Sequence, residues 1–429
     1  MFNIYCTTNK QEMVHDFSVK NGNIIPLAYQ NCGVVFDVQS TKENNCCCNC
    51  GSYNISIHEY HQKIIHGGTF NETPVYYNFL HRRFYCNDCH RTFMERLDEL
   101  PLYARKVLDV EYAVTYAMAK RTLSDVSDAY GISPQTISRI MTEYCIVEQE
   151  LSLKGSYRYL SMDEIFYKRN SDGEALYYWV LNDISDYSKV NTIRIELGRN
   201  KTDVVDRLKE LSNPHKVKAV CIDMWKQYLE AVQEVLPNAY VVVDGFHVLQ
   251  LAEREFEKIR KRLGNTLNDK KDLKKDAKLF TTNLFKLNDD ELDTVETYLK
   301  IYPELEIAYF LNQELYEFYN MKDYEQAFNY LVEWSQEVLK SNITEMKSIL
   351  NTIDNWLPYI MNKFIYRISN GKTEGRNNLI RTIIRQGFHY GLATLKARIF
   401  SHDERLNRKL WQLKQKKYAI KNICFKNAS

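Results

Sequence analysis

The chain has 429 residues, 45% hydrophobic and 26% charged, which suits a soluble protein of several domains with large buried cores and excludes a disordered or fibrous one. Its formal net charge of only +2 neither favours nor excludes nucleic acid as a partner. No apolar run approaches the roughly 18 residues of a membrane span, and the first residues lack a basic-then-apolar export signal, so no membrane association and a cytoplasmic location are expected.

Residues 1–40 carry weak strand-like pieces and no motif. Six of the eleven cysteines then fall between Cys46 and Cys89. In a reducing compartment such a cluster reads as a metal site before it reads as disulfides. Cys47-x-x-Cys50 and Cys86-x-x-Cys89 give two knuckles whose four thiolates can close one tetrahedral, structural Zn²⁺ site. Cys46-x-Cys48 competes with the first knuckle, and His81 or His90 is an alternative ligand. Between the knuckles, Tyr53 to Ile65 and Val75 to Tyr85 alternate like the strands of a small ribbon. The first domain, a zinc-ribbon-like module, is expected over 1–95.

Leu100 to Lys120 reads as a helix. The stretch from Arg121 to Met141 then has apolar residues at Val126, Tyr130, Ile132, Ile137 and Ile140 bracketing Gly131, which supplies a turn. Ser133 is a suitable N-cap and Pro134 a suitable first helical residue. This predicts a helix-turn-helix, over 96–150, whose second helix enters the DNA major groove. Ser133, Gln135, Thr136 and Arg139 are its candidate DNA contacts; any helical hairpin of a bundle is the plainer alternative.

From Tyr157 the pattern becomes that of a sheet. Y-R-Y-L-S-M-D-E-I-F-Y-K is a strand with Asp163 in its middle, followed at meander spacing by L-Y-Y-W-V-L-N-D and K-V-N-T-I-R-I-E-L. Thr202 to Leu211 is helical. V-K-A-V-C-I-D-M then stops at Asp223 and A-Y-V-V-V-D-G-F-H-V at Asp244, with helical spacing from Trp225 to Leu236 between them. That is a β-α-β unit, and chemistry in such sheets gathers at the carboxyl ends of strands. The whole order, β-β-β-α-β-α-β with an acid on the first strand and another ending the fourth, is that of ribonuclease-H-like nucleases and integrases. The first part of this catalytic domain is expected over 151–249.

Residues 250–366 read as an all-α insertion with Pro303 and Pro358 as breaks. Ten Lys/Arg between Arg254 and Lys278 make a basic segment that either lies along DNA or is a solvated helix face. The sheet domain resumes over 367–429. Thr373 can cap a helix whose apolar side is Leu379, Ile380, Ile383 and Ile384. Glu374, Asn378, Arg381 and Arg385 fall on the opposite stripe, where a carboxylate and two guanidinium groups suit a metal and a phosphate. The chain ends in a basic run, ten Lys/Arg against Asp403 and Glu404 from Lys396 to Lys426, of the kind that contacts phosphates or forms a solvated tail.

Taken in order, the knuckles, the helix-turn-helix, S-M-D-E at 161–164, I-D-M-x-x-x-Y at 222–228, V-D-G-F-H-V at 243–248 and S-N-G-K-T-E-G-R-N-N at 369–378 resemble the bacterial insertion-sequence transposases of the ISL3 family. The resemblance implies a DDE triad of Asp163, Asp223 and Glu374, interrupted before the glutamate by the all-α insertion. It also implies a multidomain α+β protein acting on double-stranded DNA, both terminal inverted repeats and target, as a homodimer or larger assembly in the bacterial nucleoid. Three carboxylates are the minimum that holds two Mg²⁺ or Mn²⁺ ions, the pair that stabilises both oxygens of a phosphodiester exchange. Asp244 and His247 are expected to stand behind the ligands. Two readings from other classes remain beside this one: a DNA-binding regulator with an inert sheet domain, and a hydrolytic nuclease that never joins ends.

Overall fold

The computed structural model of the chain describes residues 17–26, 32–40, 45–96, 106, 108–186, 189–266, 270–387 and 390–401. It is a mixed α+β protein that divides into two compact units, Met1–Glu148 with Ile383–Ser429 and Gln149–Thr382. Among the described residues no helix is long and apolar enough to cross a membrane.

The first unit carries a sheet of β1 (Phe17–Pro26), β2 (Cys32–Ser40), β3 (Ile55–Phe70), β4 (Thr73–Cys86) and β5 (Thr92–Met94), in the order β1-β2-β4-β3 with β5 on β4. Asn71 and Glu72, with φ of 48° and 62°, make the two-residue turn that lets β3 and β4 twist together as a hairpin. Both strands run longer than their alternation predicts. The pocket of core beneath them is small, centred on Val38, Ile65 and Phe79. Helix α1 spans Leu108–Met118, shorter than the expected helix from Leu100, of which residues 100–105 and 107 lie outside the described ones.

Helices α2 (Leu123–Tyr130) and α3 (Pro134–Leu153) follow, α2 opened by a capping box between Thr122 and Asp125. Gly131 ends α2 in the left-handed region at φ 61°, where a Cβ would also sit 2.8 Å from the Tyr76 hydroxyl and 2.9 Å from Pro74. The His66 ring bonds the Tyr130 carbonyl, so the β3–β4 ribbon fixes this turn. The last described helix, named below, belongs to this unit through Arg398, which donates to the Met118 carbonyl at 2.9 Å. Lys396 and Arg398, the first cations of the expected basic tail, are therefore buried; residues 402–429 lie outside the described ones.

The second unit is built on β6 (Tyr159–Arg169), β7 (Ala175–Asp186), β8 (Lys189–Leu197), α4 (Lys201–Lys209), β9 (Ala219–Ile222), α5 (Lys226–Val235) and β10 (Tyr240–Val243). The strand order is β10-β9-β6-β7-β8, with β10, β9 and β6 parallel and the β6-β7-β8 meander antiparallel. Side chains alternate across β6. Leu160 and Met162 join Val204, Leu208, Tyr228 and Val232 in the core under α4 and α5. Ser161 and Asp163 face the other way.

From β10 the chain passes into α6 (Gly245–Thr266), α7 (Lys270–Lys275), α8 (Ala277–Phe280), α9 (Asp289–Ile301), α10 (Pro303–Asn320), α11 (Tyr324–Ser341) and α12 (Thr344–Tyr366). Their common core includes Val243 of β10, Phe256, Leu315, Trp334 and Ile353. Pro303 opens α10, as a first-turn proline does. Pro358, expected to break the pattern, lies inside α12. Buried Ile353 on one side and Ile360, Met361 and Phe364 on the other hold that helix to the core, so packing overrides the hydrogen bond the proline removes. Described cations of the 254–278 segment pair internally: Lys258 with Glu255, Arg260 with Glu257, and Arg262 with Glu304 and Glu345.

Helices α13 (Gly371–Gln386) and α14 (Leu392–Ser401) complete the described chain. α13 begins two residues before Thr373, which is therefore not its cap; Thr373 is fully buried and bonds Ser161 across the sheet.

Candidate functional site

Asp163 sits mid-strand on β6 and Asp223 one residue beyond the end of β9, on adjacent parallel strands. The sequence dictates this: β6 places every second side chain on one face, and β9 runs out at Ile222 just as its carboxyl end reaches that level. Asp163 is 8% exposed. Its Oδ1 accepts the Glu164 backbone N–H at 2.6 Å and its Oδ2 accepts the Asn377 side-chain amide. Burial, and then the nearby charge of Asp223, push the Asp163 carboxyl up to about 7.

Asp223 is met by the His247 ring, Nε2 to Oδ1 at 2.6 Å. Burial works against the charged imidazole, but the bond to Asp223 and the fields of Asp223, Asp244 and Asp163 outweigh it and raise its pKa. Asp244, one residue beyond β10, is 5% exposed and held above the usual carboxylate range by burial. His247, the Asn370 backbone N–H and Lys363 oppose that rise. A buried carboxylate, Asp163, and a half-buried one, Asp223, that repel one another are what a divalent cation relieves, so the donor set fits Mg²⁺ or Mn²⁺.

Glu374 stands apart from that pair. Its side chain is 52% exposed and accepts from Arg381 at 2.7 Å, while Arg381 also reaches Asn378 at 2.9 Å. The polar stripe read from the sequence is thus formed, with Arg385 in the last turn. Among the described residues, Asp163, Asp223 and Glu374 do not gather as a compact set of ligand atoms. What lies between them is α13, joined to β6 by Ser161–Thr373 and Asp163–Asn377 on either side of Glu374 in sequence.

Sequence reasoning took Thr373 for a helix cap and passed over Asn377, and also the group on the other face of β6. There Glu164 accepts from Arg199 and, at 3.3 Å, from the Tyr228 hydroxyl. Arg199 stacks over Tyr177 and Trp225, at 4.1 and 4.8 Å from the ring centres. A signal was present for the first two: with Ile380 they recur at four and three residues, polar groups on a helix stripe that otherwise buries isoleucine.

In the first unit, Cys47, Cys50, Cys86 and Cys89 bring their sulfurs within 4.8 Å of one another. Cys47–Cys89 and Cys50–Cys86 are each 3.6 Å apart, too far for a disulfide and near the roughly 3.8 Å edge of a tetrahedron with Zn–S bonds of about 2.3 Å. The two knuckles match: after the second cysteine, Gly51 and His90 both take positive φ, and Gly51 and His90 donate to the Cys47 and Cys86 carbonyls. Cys46 and Cys48 are not in the cluster. His81 is bonded to the Glu95 carbonyl and His90 to Tyr85, and neither ring belongs to the cluster.

On α3, Ser133 caps Thr136 N–H at 3.3 Å. Gln135 and Arg139 are exposed, Thr136 half-buried, and Arg139 pairs with Glu143 at 3.1 Å.

A family model for a transposase, of the ISL3 group of DDE proteins, matches residues 160–399, more than half of the chain. The transposase for insertion sequence element IS1001 of Bordetella parapertussis is 23% identical over 357 residues, covering 80% of this chain and 85% of that one. Among solved structures, the Drosophila P element transposase strand transfer complex matches with a TM-score of 0.40 and 11% identity, over 70% of this chain and 93% of that one, too distant for any inference about geometry.

Proposed function

The chain belongs to the ISL3 family of DDE transposases, and on that premise we propose that it binds the terminal inverted repeats of its own element and cuts and joins DNA there. Asp163, Asp223 and Glu374 carry the chemistry. The observation that carries this reading is the pair of aspartates on neighbouring parallel strands, one of them tied directly to the helix that bears Glu374.

Two Mg²⁺ or Mn²⁺ ions, when bound, stabilise charge on the attacking and leaving oxygens of the phosphodiester. The residues do the rest. Asp163 and Asp223 offer the buried oxygens, His247 holds Asp223 in orientation, and Asp244 supports His247 from the next strand end. Glu374, released from Arg381, would complete the set that holds the ions, leaving the Arg381 guanidinium, with Arg385, for DNA phosphates. Water attacks the phosphodiester at the element end and breaks its bond to the 3′ oxygen, releasing a 3′-hydroxyl. That hydroxyl attacks a target phosphodiester, forming one P–O bond and breaking another.

Residues 1–95 act as a zinc-bound module, 96–150 as the helix-turn-helix that reads the repeats through Ser133, Gln135, Thr136 and Arg139. A ribonuclease-H-like domain over 151–249 and 367–429, interrupted by the helical segment 250–366, does the cutting. The working form is a homodimer or larger on DNA, in the bacterial nucleoid.

The test is an assay with duplexes ending in the element's own repeats, with Mg²⁺. Alanine at Asp163, Asp223 or Glu374 should abolish cleavage and joining and leave repeat binding intact. Activity retained by any of the three removes that residue from the triad. Cleavage by the wild type without joining would establish the nuclease reading instead.

A further inference from the structure

Asn377 is fully buried, yet only half of its amide is satisfied. Its Nδ2 donates to Asp163 Oδ2, and its Oδ1 has no hydrogen-bond partner. A residue that only filled space between α13 and the sheet would be better apolar, as Ile380 is one turn further on. The amide is therefore explained by what it does to Asp163.

Geometry says what that is. Thr373 and Asn377 are four residues apart on α13, a rise of about 6 Å. Ser161 and Asp163 are two apart on β6, a rise of about 6.6–6.8 Å. The two spacings nearly match, so Ser161–Thr373 at 3.1 Å and Asp163–Asn377 form a two-point clasp that holds helix and strand parallel in a single register. Each Asp163 oxygen then has one donor, the Glu164 N–H on Oδ1 and Asn377 on Oδ2. The carboxylate plane is fixed and one acceptor position on each oxygen stays open.

We infer that Asn377 is the positioning residue of the acidic site: it sets the orientation of Asp163 toward the cation and fixes the height of α13, and so of Glu374, against β6. Its free Oδ1 is the acceptor left for a donor that arrives with the hydrated ion. This rests on the reading of Asp163 as a metal holder.

The test uses the full-length protein and Mn²⁺ alone, with free Mn²⁺ followed by electron paramagnetic resonance. Asn377→Leu keeps the branched shape and removes both polar atoms; Asn377→Ala is the second variant. Mn²⁺ affinity should fall about 10–100-fold, as it does when a ligand loses its supporting bond, while cooperative melting and binding of repeat DNA stay as in the wild type. The Mn²⁺ concentration for half-maximal cleavage should rise by the same factor. Wild-type affinity in a folded variant overturns the inference. So does loss of cooperative melting in both variants, which would make Asn377 a part of the fold alone. Asp163→Ala is measured beside them. If it too binds Mn²⁺ normally, the reading of Asp163 has failed; if it alone is defective, only the role of Asn377 has.

Discussion

At the scale of single residues, the acidic site stores instability that its ligand should release. The ordinary value for the Asp163 carboxyl is 3.8 and the folded value about 7. Between those values the folded state binds more protons than the unfolded one, so stability falls as pH rises through that window. Asp244 and His247, both raised, contribute with the same sign. The metal-free protein should therefore melt higher at pH 5 than at pH 8. Asp163→Asn should recover on the order of 2–4 kcal/mol at pH 8 and flatten the profile; an unchanged melting curve across that range would exclude the raised carboxyl. Arg139 makes a different case. It is 60% exposed and its pairing with Glu143 is a surface one, so little holds it back from a base edge. Arg139→Ala should cost on the order of 1–3 kcal/mol in repeat binding and relax preference at one position. Equal weakening on all sequences would make it a phosphate contact.

Among elements, the turn between α2 and α3 depends on glycine twice, for φ and for the approach of Tyr76 and Pro74. Gly131→Ala should destabilise the first unit by about 1–3 kcal/mol, read from its thermal transition. The hairpin β3–β4 shares a small core with β2, and its open end is closed by the four cysteines. One zinc per chain is expected by metal analysis, and a chelator should melt the ribbon. Hydrogen exchange at β4 that ignores the chelator would remove zinc from the fold. The periodicities of these elements were legible beforehand, because Gly, Ser-Pro and Cys-x-x-Cys each impose a local geometry. Pro358 misled because its effect is decided by what packs on α12 rather than by the chain around it.

Across the whole molecule, the helical segment is more than an appendage. Val243 of β10 belongs to its core, and Asn362 of α12 donates to the Val241 carbonyl at 2.7 Å, covering the edge strand of the sheet. Replacing 250–366 by a short linker should leave that edge bare and yield aggregated protein. A soluble, monomeric product with a protected β10 would show the sheet stands alone.

The order of strands and helices, the acids at 163 and 223, and the two knuckles follow from the chain itself, since each depends on a local period or a fixed spacing. The choice of Cys47 over Cys46 and Cys48 does not, because three adjacent cysteines offer the same chemistry and only the left-handed turn at Gly51 selects among them. Nor does the clasp of Asn377 on Asp163, whose partners are separated by 214 residues. Sequence spacing carries no information across such a distance. Only the packing of α13 on β6 decides that a polar stripe faces inward there, leaving Glu374 on Arg381 at the surface.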